Sequence, residues 1–179
     1  IPEKNFFINA YSSQDKENAG TFVKISLIGP EDPAPREIKI SDSCYFDMFL
    51  PQISEYSNRI WVSAQRKNDE GRCVPAFIFS DDFGESWTIK ELALPDKPEV
   101  FYPHKDVRWD HGSGTEPYVA ELSKNKMMMI IRTPTDFFYQ SFSYDGGDTW
   151  TYMEPSVFHG TDTTAYLLKL SDGRTVAFW

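Results

Sequence analysis

The sequence predicts an all-β protein, a β-propeller made of four-stranded antiparallel blades. Three observations lead to this prediction. Aromatic residues make up 16% of the 179 residues, and 12 prolines and 10 glycines punctuate the chain, a composition that favours strands and turns over long helices. Two short sequence motifs each occur twice along the chain. Short apolar and aromatic segments alternate with turn residues, and repeat units of roughly 40 to 50 residues are typical of propeller blades.

The charge of the chain excludes some classes of partner. Eighteen Lys and Arg residues stand against 27 Asp and Glu residues, which gives a formal net charge of −9. A broad basic surface for nucleic acid or anionic lipid is therefore not expected. The longest aliphatic run covers residues 127–131, far fewer than the roughly 20 apolar residues that a membrane helix needs. We expect no nucleic-acid partner and no membrane span.

Cys44 and Cys73 are the two cysteines, and their number allows either one disulfide or two thiols. A chain of 179 residues can bury a core without a covalent cross-link, which favours the thiols. The last residues, 174–179, have the pattern of a strand with no turn after it. A closed propeller needs about 4 to 8 blades, so we expect the remainder of the propeller to lie outside this chain segment.

One eight-residue motif occurs twice. Residues 80–87 and 143–150, 63 positions apart, both follow the pattern S-x-D-x-G-x-(S/T)-W. In a tight turn, short Ser and Asp side chains accept backbone N–H groups, Gly takes positive φ, and Trp supplies an apolar anchor. A Ca²⁺ site is the alternative, but it would need about six oxygen ligands. We interpret the motif as structural, through Ser80, Asp82, Gly84, Trp87, Ser143, Asp145, Gly147 and Trp150.

Strands and turns follow one another along the chain. An incomplete first unit has predicted strands at 6–11, 21–27 and 37–40. The next unit has strands at 46–53, 60–65, 73–79 and 87–92. The following unit has strands at 115–123, 127–133, 137–143 and 149–154, and its first turn is Lys124-Asn125. A last unit begins at 163–170. The predicted organisation is a partial blade over 1–41, blades over about 42–95 and 112–156, and the start of a blade over 160–179.

A second correspondence between units singles out Glu116. The segment T-E-P-Y at 115–118 matches T-T-A-Y at 163–166, and an H-G pair precedes both; Thr164 thus stands 48 positions after Glu116. The repeat itself does not require an acid here. Hairpin pairing about Lys124-Asn125 sets Glu116 opposite Thr133, which brings it to Arg132 at the open end of the hairpin. Glu116 is either a solvated acid with a surface partner or part of a site.

The eight-residue motif resembles the Asp-box, or bacterial neuraminidase (BNR) repeat, of the sialidase superfamily. Residues 115–122, T-E-P-Y-V-A-E-L, are similar to the sialidase segment in which a catalytic Glu opens a strand. In that segment an Arg of the carboxylate-binding triad closes the next strand, as Arg132 does 16 positions after Glu116. The resemblance covers about residues 45–179 and implies a six-bladed propeller when complete.

The resemblance also implies a function. It points to an exo-acting glycoside hydrolase that releases a terminal acidic sugar, above all sialic acid, from glycoconjugates without a cofactor. A planar Arg fork is the natural bidentate partner of the substrate carboxylate, which is the role implied for Arg132. Sialidases use a Tyr nucleophile, and Glu116 would be the catalytic base that takes its proton. A glycan partner and a secreted or periplasmic location follow from the family alone.

The chain also departs from the sialidase pattern. The Arg-Ile-Pro signature of the first blade has Phe49-Leu50-Pro51 as its nearest equivalent, which lacks the Arg. The third Arg of the triad and the nucleophilic Tyr would lie beyond Trp179. Propellers with Asp-boxes include binding proteins as well as enzymes. The alternative is therefore a non-catalytic or differently specific propeller that binds glycan or protein.

The remaining candidates rest on position. Asp110, shortly before Glu116, is the nearest candidate for the acid/base Asp and would contact the substrate. Arg66 follows the second strand of the earlier unit and could line the same mouth as Arg132. The three histidines, His104, His111 and His159, lack the close ligand spacing of zinc motifs even with Asp110 and Asp162, so we expect no metal site.

Overall fold

A computed structural model describes residues 6–27, 34–46, 50–94, 115–160 and 163–179. Every regular element in these ranges is a strand, so they contain no helix that could cross a membrane. The strands, in chain order, are β1 Phe6–Ser13, β2 Gly20–Leu27, β3 Arg36–Ser41, β4 Gln52–Ile53, β5 Ile60–Lys67, β6 Cys73–Ser80, β7 Thr88–Glu91, β8 Thr115–Ser123, β9 Lys126–Arg132, β10 Phe137–Ser143, β11 Glu154–His159, β12 Tyr166–Lys169 and β13 Thr175–Phe178.

These strands form antiparallel sheets, each from consecutive strands. β4–β7 and β8–β11 are four-stranded sheets, β1–β3 form a three-stranded sheet, and β12 pairs with β13. Short turns let each strand pair with its neighbour in the chain. The predicted all-β fold with four-stranded antiparallel sheets is confirmed. We retain the exact blade boundaries as a proposal.

The sheets stack face to face, and β9 shows how its sequence permits this. Successive side chains of a strand point to opposite faces. Met127, Met129 and Ile131 belong to a buried cluster shared with β5 and β6, whereas Met128 and Ile130 belong to a second cluster shared with β12. A strand that is buried on both faces needs apolar residues at nearly every position, which explains the run at 127–131.

The two motif turns, residues 80–87 and 143–150, connect the third and fourth strands of the four-stranded sheets. Ser143 Oγ accepts the N–H of Gly147 at 2.7 Å and donates to Asp145 at 2.8 Å. Asp145 in turn accepts the N–H and the hydroxyl of Thr149 at 2.9 and 2.5 Å, and Trp150 Nε1 donates to the Gly147 carbonyl at 3.0 Å. Residues 80–87 repeat each of these bonds to within 0.1 Å.

Hydrogen bonding within the motif turns stabilises the ionised Asp side chains. Bonds from Ser86 and Ser80 lower the pKa of Asp82 to about 2. At Asp145, partial desolvation raises the pKa of the carboxyl group. The hydrogen bonds from Thr149 and Ser143 outweigh the desolvation and lower the pKa of Asp145 to about 2.

Each motif turn also touches the preceding sheet. Gly84 and Gly147 have φ values of 88° and 103°, which L side chains rarely adopt. A Cβ atom at Gly84 would lie 2.4 Å from Cδ1 of Ile25 on β2, and one at Gly147 would lie 2.3 Å from Cε1 of Phe77 on β6. Glycine is thus required at both positions for two reasons: the positive φ and the close contact with the neighbouring sheet.

The fourth strand of the second four-stranded sheet is not where the sequence predicts it. The predicted strand covers 149–154, but β11 begins at Glu154 and pairs with Gln140. The hydroxyl of Thr151 accepts the Phe142 N–H at 2.9 Å, and the Thr151 carbonyl accepts the Ser141 hydroxyl at 2.7 Å. One backbone bond remains next to the motif turn, from the Thr151 N–H to the Phe142 carbonyl at 2.8 Å. Side-chain bonds take the other positions there, and regular pairing starts later.

In two units the first strand is also shorter than predicted. For the predicted strand at 46–53, the structure has an isolated bridge between Phe46 and Gln65 and the short strand β4, and residues 47–49 lie outside the described ranges. Pro51, which has no N–H to donate, precedes β4. The predicted strand at 163–170 is reduced to β12. Cys44 and Cys73 are two free thiols.

Candidate functional site

The pairing of β8 with β9 differs from the predicted register around Glu116. The predicted register sets Glu116 opposite Thr133 and Pro117 opposite Arg132. In the structure Thr115 lies opposite Arg132, and the pairing resumes at Tyr118 after a bulge. Pro117 cannot donate to a ladder, so the bulge contains the one residue that would break the pairing. Glu116 takes φ 50°, in the left-handed region.

The backbone of Glu116 is held by the neighbouring sheet. Its N–H, displaced from the β8–β9 ladder, donates to Oε1 of Gln65 at 2.8 Å. Gln65 lies on β5, is 1% exposed, and pairs through its own backbone with Phe46 at 2.7 and 3.0 Å. The acceptor for the Glu116 N–H is thus a buried side chain on a fixed strand.

The carboxylate of Glu116 makes two further contacts. Arg132 Nη1 donates to Oε1 at 2.9 Å, and the Thr164 hydroxyl donates to Oε2. Thr164 lies just before β12, so three successive sheets meet at Glu116. The side chains of Glu116 and Arg132 are 23% and 26% exposed. Both charged groups are therefore largely enclosed but partly exposed.

This acid–base pair lies at the end of β8 away from the motif turns. The carbonyl of Asn125, in the β8–β9 turn, accepts the Gly146 N–H at 2.8 Å, which places the motif turn at that end. With about 3.3 Å of rise per residue, Glu116 lies roughly 25 Å away at the other end of the strand. The motif turns and the candidate site are therefore on opposite rims.

Arg66 follows Gln65 at the end of β5 that lies near Glu116. Its side chain points to the opposite face of the sheet from the side chain of Gln65. Its Nη2 donates to Glu91 at 2.8 Å, its Nε donates to the other oxygen of that carboxylate, and the Tyr45 hydroxyl donates there as well. Bonding to Arg66 lowers the pKa of Glu91, while burial and Glu91 raise the pKa of Tyr45 to about 12. The structure brings Arg66 to Glu91 and not to Glu116; its contact with substrate stays a prediction.

The other candidates lie largely outside the described ranges. Asp110, His104, His111 and Asp162 are among the residues that the structure does not describe. The ring of His159, at the end of β11, packs on Phe137 with centroids 4.4 Å apart. Within the ranges the structure covers, no group of three or more His, Cys, Asp and Glu side chains is placed to hold a metal ion.

Two residues of the site, Gln65 and Thr164, were not predicted from the sequence as site residues. Gln65 carries a weak signal, since it is a buried polar residue that directly follows the mostly apolar segment 60–64 of β5. Thr164 carries a stronger one, because it is the repeat equivalent of Glu116. Equivalent positions in neighbouring sheets lie on the same rim, so the two side chains could have been expected near each other.

Comparison with known families places this arrangement in context. Residues 29–179 match the family described as the BNR repeat-like domain. The chain belongs to this family. The resemblance to the sialidase superfamily carried by the two motif turns is thereby confirmed, and the family match covers both four-stranded sheets as well as Glu116 and Arg132.

Individual relatives agree with the family match. The anhydrosialidase of Macrobdella decora is 27% identical over 95 residues, which are 53% of this chain and 10% of that protein. A point mutant of the NanB sialidase of Streptococcus pneumoniae superimposes with a TM-score of 0.62 at 15% identity, over 89% of this chain and 24% of that one. For the Trypanosoma rangeli sialidase the TM-score is 0.54 at 16% identity, over 96% and 26% of the chains. The fold is that of the sialidase propellers, and the chain spans a tenth of the curated relative and about a quarter of the two solved chains.

Proposed function

We propose that the protein is an exo-acting glycoside hydrolase that releases a terminal acidic sugar, sialic acid in the first place, from glycoconjugates. The observation that carries the proposal is the contact of Glu116 with Arg132 at 2.9 Å, on one rim of a BNR-type fold and partly open to ligand. A carboxylate and a guanidinium side by side supply a proton acceptor and an anion receptor, which are the two groups that such a substrate needs.

Arg132 receives the carboxylate of the sugar in this proposal. The guanidinium has five N–H donors in a planar fork, so a substrate carboxylate can share it with Glu116 without displacing the Glu116 contact entirely. Because the two carboxylates repel each other, binding is expected to depend on the cation between them. Binding of an uncharged analogue of the same sugar should not depend on the Arg132 guanidinium.

Glu116 acts as the base for a Tyr nucleophile. The phenolic proton passes to the Glu116 carboxylate, the phenolate oxygen bonds to the anomeric carbon, and the bond from that carbon to the leaving oxygen breaks. The leaving oxygen takes a proton from an acid, for which Asp110 remains the candidate. Water then attacks the anomeric carbon and the glycosyl–tyrosine bond breaks. The proton of the water returns to the deprotonated acid, and Glu116 returns its proton to the tyrosine oxygen. The nucleophilic Tyr is part of the whole protein in this proposal.

Turnover of a fluorogenic sialoside by the full-length protein tests the proposal. We expect wild-type turnover, and a loss of roughly 10²–10³-fold in kcat/KM for Arg132→Ala because a charge-assisted fork is lost. The methyl ester of the same sialoside should be a poor substrate for wild type, and Arg132→Ala should discriminate much less between acid and ester. Arg174→Ala, which removes a 77% exposed guanidinium from the β12–β13 turn, is the matched control and should leave both activities unchanged.

A second candidate function is favoured by one observation. Phe49-Leu50-Pro51 stands where sialidases have Arg-Ile-Pro, and Leu50 is 86% exposed. The alternative is a non-catalytic or differently specific propeller that binds glycan or protein. A wild-type protein that binds sialylated glycans on an array but turns over no sialoside would favour this alternative and contradict the hydrolase.

A further inference from the structure

We propose that Gln65 and Thr164, one from each sheet that flanks β8, are positioning residues that hold Glu116 in its working geometry. The proposed consequence for turnover rests on the hydrolase function argued above; the structural role does not. Three features of the structure support this role: the conformation of Glu116, the nature of its two partners, and the place of those partners in the fold.

The conformation of Glu116 needs outside support. A non-glycine residue in the left-handed region, followed by proline, is disfavoured twice, and such residues cost on the order of 1–3 kcal/mol each. With φ 50° and its N–H turned away from the β8–β9 ladder, Glu116 would lose a backbone hydrogen bond as well. The Oε1 atom of Gln65 accepts that N–H at 2.8 Å from a side chain that is 1% exposed.

The second partner sets the direction of the carboxylate. Arg132 alone could meet Glu116 in several rotamers, since a long guanidinium side chain follows its partner. The hydroxyl of Thr164 bonds Oε2 while Arg132 bonds Oε1, so the plane of the carboxylate is defined from two sides. Thr164 precedes a paired strand, β12, and is itself partly buried. Catalytic groups supported in this way keep the short, aligned geometry that proton transfer requires.

Both interactions cross a boundary between sheets. Gln65 belongs to the preceding four-stranded sheet and Thr164 to the following unit, so the geometry of Glu116 depends on the stacking of three units. A surface ion pair between Glu116 and Arg132 would be complete within its own hairpin. The additional partners therefore indicate a carboxylate whose position matters more than its charge.

Paired variants of the full-length protein test the role of each partner in turnover. We expect Thr164→Val to lower kcat for a sialoside about 10-fold or more with KM changed less than about 3-fold, and Thr164→Ser to restore most of the loss because it restores the hydroxyl. Thr163→Val, one residue earlier, is the control. Gln65→Met should act like Thr164→Val. Gln52→Met is its matched control, because Gln52 also bonds the backbone of β8 from the neighbouring sheet but does so as a donor, from Nε2 to the Val119 carbonyl at 3.0 Å.

Hydrogen exchange, followed by NMR, gives a readout that does not depend on turnover. Loss of the acceptor in Gln65→Met should raise the exchange rate of the Glu116 amide about tenfold, with the Val119 amide unchanged. The carboxyl ¹³C signal of Glu116 should shift in Thr164→Val and return in Thr164→Ser. Unchanged amide exchange and an unchanged carboxyl signal would overturn the positioning role. Wild-type protein that turns over no sialoside, yet shows both spectroscopic changes, would overturn the proposed hydrolase and leave the positioning role supported.

Discussion

Glu116 adopts a backbone conformation that both its side chain and its neighbour Pro117 disfavour. Its φ of 50° persists because Gln65 bonds its N–H and because Arg132 and Thr164 bond its carboxylate. Strain of this kind is retained where surrounding groups over-determine the geometry, and it concentrates at functional sites. At the residue scale, the conformation of Glu116 is therefore a stronger indication of function than its charge.

Replacement of the Glu116 carboxylate by an amide should separate chemistry from folding. Glu116→Gln keeps the shape of the side chain and one oxygen acceptor but removes the base. We expect the melting temperature of the full-length protein to stay within a few degrees of wild type, and sialoside turnover to fall roughly 10²–10⁴-fold. Calorimetry and the fluorogenic assay measure the two quantities. Wild-type turnover in a folded Glu116→Gln protein would exclude Glu116 as the base.

The motif turns act at the scale of the element, as closures of a sheet and as contacts between sheets. Ser143 and Asp145 satisfy the N–H groups within the turn, and Gly147 lets the turn approach Phe77 of the neighbouring sheet. One segment of eight residues therefore stabilises a sheet and its stacking on the next. This double use explains why the same hydrogen bonds recur in both copies.

A pair of glycine substitutions tests the contact between sheets. Gly147 and Gly173 have φ values of 103° and 86°, but a Cβ would meet Phe77 at 2.3 Å in the first case and nothing within 4 Å in the second. Gly173→Ala should cost about 1–2 kcal/mol of unfolding free energy, from backbone conformation alone. Gly147→Ala should cost about 1–3 kcal/mol more, because it also overpacks the interface. Urea unfolding measures both, and equal losses would contradict the interface role.

The elements differ in how far the sequence could predict them. β8 and β10 have the predicted bounds because their apolar patterns end at clear turn residues. β11 does not, because the Thr151 hydroxyl replaces a backbone acceptor, and side-chain substitution of this kind has no periodic signal. In the site, Glu116 and Arg132 were predictable because one hairpin contains both. Gln65 reaches Glu116 only through the stacking of two sheets, which the pattern of a single repeat does not contain.

At the scale of the whole molecule, the described sheets are held together by apolar clusters between their faces and by several ion pairs between neighbouring units, among which those of Arg59 link two motif turns. Arg59, in the loop before β5, bonds Asp81 of the first motif turn with Nε and Nη2, both at 2.7 Å. Its Nη1 bonds Asp148 at 3.1 Å and the Gly146 carbonyl at 2.7 Å in the second motif turn. The motif turns of neighbouring sheets are thus linked through Asp81 and Asp148. The motif turns therefore contribute to the stability of the stack.

Acid should weaken the stack through these turns. The pKa values of Asp82 and Asp145 are about 2 in the folded protein, below the value of about 3.9 for an unfolded Asp. The unfolded chain therefore binds more protons in this range, so the stabilisation is complete above about pH 4 and is lost as the pH falls towards 2. Urea unfolding followed by tryptophan fluorescence should show this loss in wild type. The double variant Asp82→Asn, Asp145→Asn should be less stable at pH 5 and should lose less between pH 4 and 2. Asp69→Asn, which changes an exposed carboxylate in the β5–β6 turn, should retain the wild-type pH dependence. A double variant with the wild-type acid response would show that the motif turns do not carry the effect.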